Sequence, residues 1–409
     1  MYLPENVLFV LNRLNENKYS AYLVGGCVRD SVMGKTPNDY DITTNALPEN
    51  ILECFFDCKT LTNGIKHGTV GVVLGKDVYE VTTYRIDGEY SDNRHPDKVE
   101  FSSKIADDLS RRDFTVNAIA CDKNGNTVDP FFGKEDIERK IIKCVGEPDR
   151  RFNEDALRIL RALRFSSVLD FDIENDTAKS LHRNAHLLKN VSAERINAEF
   201  NKLLCGKRAG SVLREYYDVI SVFAENLNKD CNIDVVADAL DNSEPDLIIR
   251  LCVFVGGFMD SDNAESFMRM LKYDNETRKN VVAVTSLSHE HFDIDRIAVK
   301  KLVRAHGYDI CALTNKTQYL LKIKGEQEYM CFMQVLDEIR NNNMCTDVSQ
   351  LAFGGNDCKN VLGVTGKSIG LLLDVLCDAV IEEKVSNEYE ALLEYAENAL
   401  ETTGRKSDD

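Results

Sequence analysis

Along the first third of the chain, short apolar runs alternate with polar turns, and the spacing of the apolar positions changes from run to run. Val7, Leu8, Val10, Leu11 and Leu14 recur at helical spacing and predict an amphipathic helix. "AYLVGG" reads as a short strand, followed by a helix from Gly26 to Met33 that Gly34 closes. "NDYDITT" reads as a second strand, and Pro48 opens a helix in "LPENILECFF". "GTVGVVLGKDVYEVTTYR" predicts a hairpin with Gly75, Lys76 and Asp77 at its turn. "DGEYSDNRHPDKVEF", broken by Gly88 and Pro96, predicts a mobile loop. This part is α/β.

From "RFNEDALRILRALRF" onward the helical period dominates. Arg195 to Leu204, Val212 to Phe223, Asp246 to Phe254 and Lys301 to Ala305 predict helices, as do "GEQEYMCFMQVLDEI", "GKSIGLLLDVLCDAVIEE" and "NEYEALLEYAENAL". Asn387 is the expected N-cap of the last helix. The terminal "GRKSDD" is expected to fray. The composition shifts place boundaries near residues 145, 205 and 320, giving segments 1–145, 146–205, 206–320 and 321–409.

Length and charge narrow the classes. A chain of 409 residues with 43% hydrophobic content can bury more than one core, and 29% charged residues does not suit global disorder. A net charge of −18 argues against indiscriminate polyanion binding but allows a local basic stripe. The 13 cysteines are scattered, and only Cys54 and Cys58 lie close together, with no histidine nearby to complete a zinc site. Reduced thiols in a cytoplasmic protein are expected. The N-terminus shows no basic lead segment, and no apolar stretch approaches membrane-spanning length.

The candidate chemistry begins in "YLVGGCVRDSVMGKTPNDYDITT", residues 22–44. Side chains two apart on a strand share a face, so Asp39 and Asp41 are expected to project together. Paired carboxylates repel unless a cation lies between them, and hard oxygen donors suit Mg2+, which takes substrate phosphates as its other ligands. The alternative is two exposed aspartates in an ordinary loop. Gly25 and Gly26 precede a helix, so backbone N–H groups and the positive dipole end would face a bound phosphate. Arg29 would add a charge-assisted contact, or pair with Asp30. Glu80, on a neighbouring strand, is either a third carboxylate near the metal or a solvent-facing side chain.

"RRDFTVNAIA" opens with Arg111, Arg112 and Asp113. A guanidinium suits triphosphate or ribose contacts, and an adjacent aspartate can accept from a 2′-OH. In "NEDALRILRALRF", Asp155, Arg158, Arg161 and Arg164 step by three along a predicted helix, fanning by ~60° per step. Ion pairs of Glu154 and Asp155 with Arg158 are one reading. In the other, an aspartate accepts from an exocyclic amine while an arginine donates to a ring nitrogen. That pattern fits cytosine and adenine and leaves guanine and uracil mismatched, at ~1–3 kcal/mol for each unpaired group.

In order and spacing, "LVGGCVRD…NDYDITT", "RRDFTVNAIA" and "EDALRILRALRF" resemble the signature segments of class II tRNA nucleotidyltransferases (CCA-adding enzymes) and the bacterial poly(A) polymerases of the same superfamily. The resemblance implies a polymerase-β-like nucleotidyltransferase head at 1–145, followed by an all-α neck at 146–205, body at 206–320 and tail at 321–409. It implies that Asp39 and Asp41 bind catalytic magnesium, that Gly26 and Arg29 contact the triphosphate, and that Arg112 and Asp113 recognise the ribose. It further implies that Asp155 and Arg158 template the base with Glu154 holding the arginine, and that Arg161 and Arg164 contact the nucleotide. "SAERINAEFNKLL" resembles the family's last neck helix, whose role is mainly structural. Asp170 stands where the family often has glycine.

The implied activity is addition of CCA to the 3′ end of tRNA from CTP and ATP, with the acceptor and T arms as the RNA partner. The loop from Arg85 to Pro96 is present, and its loss in the family accompanies enzymes that stop after CC. Partial A-only or CC-only addition, poly(A) synthesis and an inactive tRNA-binding protein are the alternatives. "GKS" at 366–368 mimics the end of a P-loop, but Val361 occupies the place of its first glycine.

Overall fold

The computed structural model describes residues 3–88, 99–224, 227 and 231–404. It comprises two compact units, Met1–Leu227 and Asn228–Asp409. The first begins with α1 (Glu5–Glu16), β1 (Ala21–Val24), α2 (Gly26–Val32), β2 (Asp41–Thr44), α3 (Pro48–Cys54), β3 (Lys59–Leu61), β4 (Thr69–Leu74) and β5 (Asp77–Thr83). There follow β6 (Arg85–Asp87), β7 (Val99–Phe101), α4 (Ile105–Ser110), β8 (Ala120–Cys121), β9 (Thr127–Val128), α5 (Gly133–Glu138) and β10 (Ile141–Ile142). The rest of the unit is helical apart from one short strand: α6 (Pro148–Glu154), α7 (Leu157–Leu169), β11 (Asp172–Ile173), α8 (Asn175–Asn184), α9 (Ala193–Leu204), α10 (Ala209–Glu215) and α11 (Tyr217–Ile220).

One mixed sheet, ordered β3-β4-β5-β2-β1-β8-β9, carries the site. Its central pair is antiparallel, with Val24 opposite Asp41, while β2 and β5 run parallel with Ile42 beside Val81. The apolar stripe of α1 is buried through Val7, Val10, Leu11 and Leu14, as its spacing predicts. Gly34, at φ +74°, ends α2 with Lys35 N–H donating back to the Asp30 carbonyl at 2.8 Å. Pro48 stands at the first turn of α3.

Several sequence expectations are corrected. Asp39 lies outside the strand: β2 starts at Asp41, and the Asp39 carboxylate turns back to accept the Tyr40 N–H at 2.9 Å. The hairpin turn is Gly75-Lys76, because Asp77 already pairs with Leu74 in the ladder. The stretch Val212–Phe223 is interrupted at Tyr216, whose φ of −122° separates α10 from α11. The helical half also retains a strand, β11, which pairs in parallel with β10. Asp170 occupies the left-handed region (φ 62°) that closes α7, a conformation aspartate tolerates better than most residues. The centre of the predicted mobile loop, residues 89–98, lies outside the described residues, while its ends pair as β6 and β7.

The second unit is helical: α12 (Ile233–Asn242), α13 (Leu247–Phe258), α14 (Ser261–Met270), α15 (Asn275–Ser288), α16 (Arg296–His306), α17 (Tyr308–Leu320), α18 (Glu326–Asn341), α19 (Gly355–Asn360), α20 (Lys367–Ile381) and α21 (Tyr389–Gly404). Asp246, Asp260, Asp274 and Asp295 each cap a helix by accepting backbone N–H groups of its first turn. Part of the chain's acidic excess is therefore capping chemistry. Asn387 does not cap α21. Its side chain instead accepts from Ala352 N–H and donates to the Gln350 carbonyl, both at 2.9 Å, which ties down a loop. The "GRKSDD" end beyond Gly404 lies outside the described residues. All 13 cysteines are free thiols, and among the described residues no helix is long and apolar enough to cross a membrane.

Candidate active site

The β1–β2 register explains the glycine turn. Val24 faces Asp41 across the ladder, so the chain leaves β1 beside that carboxylate. Gly25 takes φ +75° and ψ −136° to enter α2, a backbone shape open to glycine and strained for other residues. A Cβ there would stand 3.2 Å from Arg112 Nη1 and 3.5 Å from Asp41 Oδ2. The turn, the "RRD" arginine and the strand carboxylate thus meet at one point. A Cβ on Gly26 would face Arg29 Nη2 at 3.6 Å.

Asp41 is solvent-accessible, yet its carboxyl is pushed above the ordinary value by the protein mass around it, with Asp39 and Glu80 adding repulsion and Arg112 partly offsetting it. Extending the β2–β5 register by one residue from Ile42–Val81 sets Glu80 next to Asp41. Among the described residues, no three carboxylate, imidazole or thiol groups gather closely enough to form a metal site by themselves. Asp39 and Asp41 are a partial set of hard oxygen donors whose mutual repulsion Arg112 offsets only in part. That arrangement fits a hard divalent ion that completes its shell from a bound phosphate.

Arg111 and Arg112 converge on one buried carboxylate, while Asp113 has a separate set of partners. Asp108, fully buried, accepts from Arg111 at 2.7 and 3.0 Å and from Arg112 at 3.2 Å. Burial alone would raise the Asp108 carboxyl, but the two guanidiniums hold it below the ordinary value. Arg112 Nε is buried without a hydrogen-bond partner, a donor left over beside the glycine turn. Asp113 points away from Arg112. Its Oδ2 accepts from Arg161 Nε and Nη2 at 2.9 and 2.6 Å, and its Oδ1 accepts from Phe114 N–H and Asn117 Nδ2 at 2.8 and 3.2 Å. Burial works against the charge, but Arg161 and Asn117 outweigh it and bring this carboxyl down to about 2.

Asn117 passes the network on to Arg29, whose Nη1 donates to Asn117 Oδ1 at 2.8 Å. Arg29 also makes the pair with Asp30 that its neighbour invites, through Nε and Nη2 at 2.9 and 2.7 Å. Arg29, Arg161 and Arg164 all lie over the Phe165 ring, with guanidinium carbons 5.3, 5.4 and 4.0 Å from its centroid. Glu199 of α9 faces the outer two, 3.8 Å from Arg161 and 2.8 Å from Arg164.

The "NEDALRILRALRF" segment is not one helix. Asp155 is extended (φ −144°, ψ 104°), and its carboxylate accepts the Leu157 N–H at 3.1 Å, ending α6 and starting α7. Only Arg158, Arg161 and Arg164 therefore share the predicted i+3 steps. Glu154 does accept from Arg158 Nη1, at 2.8 Å, and also from Arg150 and Arg151. Asp155 pairs with Arg195 rather than Arg158, through Nη2 at 2.9 and 3.2 Å. Arg158, 9% exposed, donates to the main-chain carbonyls of Arg151 and Arg111 at 3.3 and 3.2 Å. Arg158 thus connects through Arg111 to Asp108, which Arg111 shares with Arg112 beside Gly25.

Sequence reasoning missed Asp108, Asn117, Arg195 and Glu199. Asn117 follows Asp113 by four residues, and Arg195 and Glu199 are four apart on one helix face, a spacing that would have marked them as neighbours.

The chain matches the model of the poly A polymerase head domain over residues 21–143, a polymerase A RNA- and SrmB-binding model over 170–218, and tRNA nucleotidyltransferase domain 2 over 242–396. It is 34% identical over 395 residues to the CCA-adding enzyme of Leuconostoc citreum, covering 96% of this chain and 95% of that one. The CCA-adding enzyme of Ligilactobacillus salivarius is also 34% identical, over 406 residues and 97% of each chain. The chain belongs to the CCA-adding enzymes. Among solved CCA-adding enzymes, that of Bacillus stearothermophilus in complex with CTP superposes with a TM-score of 0.79 at 30% identity, over 99% of this chain and 100% of that one. The Thermotoga maritima CCA-adding enzyme complexed with tRNA shares the fold at a TM-score of 0.69 and 21% identity, over 97% and 96% of the two chains. Membership makes the chain a tRNA nucleotidyltransferase, with the α/β head and helical remainder that the sequence predicts.

Proposed function

We propose that this chain carries out CCA addition at the corner where Gly25, Asp41 and Arg112 meet. The tRNA 3′-hydroxyl attacks the α-phosphate of CTP twice and then of ATP once, and pyrophosphate leaves. The observation that carries the reading is the convergence of Arg112 Nη1 and Asp41 Oδ2 on Gly25, 3.2 and 3.5 Å from where its Cβ would stand, at a φ +75° turn that is strained for any residue bearing a side chain.

Asp39 and Asp41 would hold Mg2+, which when bound lowers the cost of charge on the attacking and leaving oxygens. The N–H groups at the start of α2 and Arg29 would bind the triphosphate. Each Asp113 oxygen already accepts two hydrogen bonds, so its part in ribose recognition is to aim Arg161 and Asn117, with Arg112 left to meet the hydroxyls. Arg164 lies at the outer edge of this cluster, over Phe165. Asp155 accepts from the base amine and Arg158, steadied by Glu154, donates to the ring nitrogen. Glu80 adds charge beside the metal ligands.

Residues 1–145 form the catalytic head, 146–205 the base-selecting neck, and 206–320 and 321–409 the body and tail. The last two would grip the acceptor and T arms by shape, through backbone and 2′-OH contacts, in the cytoplasm.

A tRNA ending at the position before CCA, incubated with CTP, ATP and Mg2+, tests this directly. Three added nucleotides support full CCA addition. One A, two C or a long A tract would instead indicate the partial enzymes or poly(A) synthesis, and no extension would indicate an inactive binder.

A further inference from the structure

We propose that Arg195 is the positioning residue of base selection, setting the orientation of the Asp155 carboxylate as Glu154 sets that of the Arg158 guanidinium. The inference rests on the reading of Asp155 as the acceptor for the base amine.

Asp155 stands at a break between two helices, with an extended backbone and a side chain 18% exposed. Such a carboxylate has two soft torsions and needs external groups to aim it. Leu157 N–H holds Oδ1 at 3.1 Å, and Arg195 Nη2 spans Oδ1 and Oδ2 at 3.2 and 2.9 Å. Oδ2 thus accepts one hydrogen bond from these groups and keeps a lone pair for an incoming N–H donor. Arg158 is held by a separate set, Glu154 and the carbonyls of Arg151 and Arg111. The two halves of the base template therefore have opposite-charge holders on different elements.

The position of Arg195 is costly without this role. It lies in the first turn of α9, where the helix dipole disfavours a cation. One turn along the same helix, Glu199 faces Arg161 and Arg164. Ile196, Phe200 and Leu203 bury the helix independently of either ion pair. A change at Arg195 should therefore reach Asp155 without dislodging α9.

The test measures kcat/KM for single incorporation of CTP and of UTP on a tRNA lacking CCA. Wild type is compared with Arg195→Met, Arg195→Lys, Asp155→Ala and the double variant Arg195→Met/Asp155→Ala. In Arg195→Met the CTP-over-UTP ratio should fall about tenfold, the scale of one misaligned charged hydrogen bond, through KM for CTP with kcat nearly kept. Arg195→Lys should recover part of the ratio, because lysine keeps the charge but not the planar fork. Adding Arg195→Met to Asp155→Ala should lower the ratio no further.

A wild-type ratio in Arg195→Met beside a collapsed ratio in Asp155→Ala would overturn the inference and leave the site reading intact. An unchanged ratio in Asp155→Ala would overturn both. Additive losses in the double variant would place the action of Arg195 elsewhere. Should Arg195→Met not fold, Arg195→Lys decides, since its ratio must lie below wild type.

Discussion

Gly25 and Arg112 are in near contact: a Cβ on the glycine would lie 3.2 Å from the guanidinium Nη1. The contact joins the glycine-turn segment to the "RRD" segment, which are 87 residues apart in sequence (112 − 25). Gly25→Ala would place a side chain in a φ +75° backbone, at about 1–3 kcal/mol of strain, and in the path of the triphosphate. The expected outcome is a KM for CTP and ATP raised at least ~10-fold with a lowered melting temperature, checked by steady-state kinetics and thermal unfolding.

Asp41 carries a stability penalty of the kind found at functional sites. Its folded carboxyl lies above the ordinary value, so as pH rises from that value the unfolded chain ionises first and stability falls through this window. Asp41→Asn should remove that fall and raise the melting temperature of the metal-free protein at pH 7. The same change should cut nucleotide transfer by well over ~100-fold, more than the loss of an outer-shell partner would. Calorimetric scans with and without Mg2+, alongside the extension assay, check both halves.

Asp113 has the opposite sign. Its carboxyl lies at about 2 against an ordinary 3.8, so its contribution is fully present above the ordinary value and is lost as pH falls toward 2. The group is 9% exposed, and the contribution is on the order of 2 kcal/mol. Asp113→Asn should lose that stability at pH 7 and flatten the unfolding curve between pH 4 and pH 2 relative to wild type, read by denaturant melts across that range.

Much of this was legible because the signals are local. The glycine turn and the Gly34 stop are set by backbone conformations few other residues adopt, and α1 shows its buried face by spacing alone. What was missed is long-range or breaks periodicity. Asp155 looks like a helix residue in sequence, but its carboxylate captures the Leu157 N–H and starts a new helix. Its partner Arg195 is 40 residues away, beyond any i+4 argument. Asp39 reads as a strand residue by its spacing from Asp41, but its carboxylate takes the Tyr40 N–H locally and the strand begins two residues later. Asn387 followed capping statistics, while the fold used its amide to tie two loop residues.

The most direct measurement is a crystal structure with CTP and Mg2+ bound. The account predicts the triphosphate over Gly25 and Gly26, the ion between Asp39 and Asp41, and the cytosine amine and ring nitrogen within hydrogen-bond reach of Asp155 and Arg158. A cytosine ring bound away from Asp155 and Arg158, or phosphates bound away from Asp41 and Arg112, would contradict it.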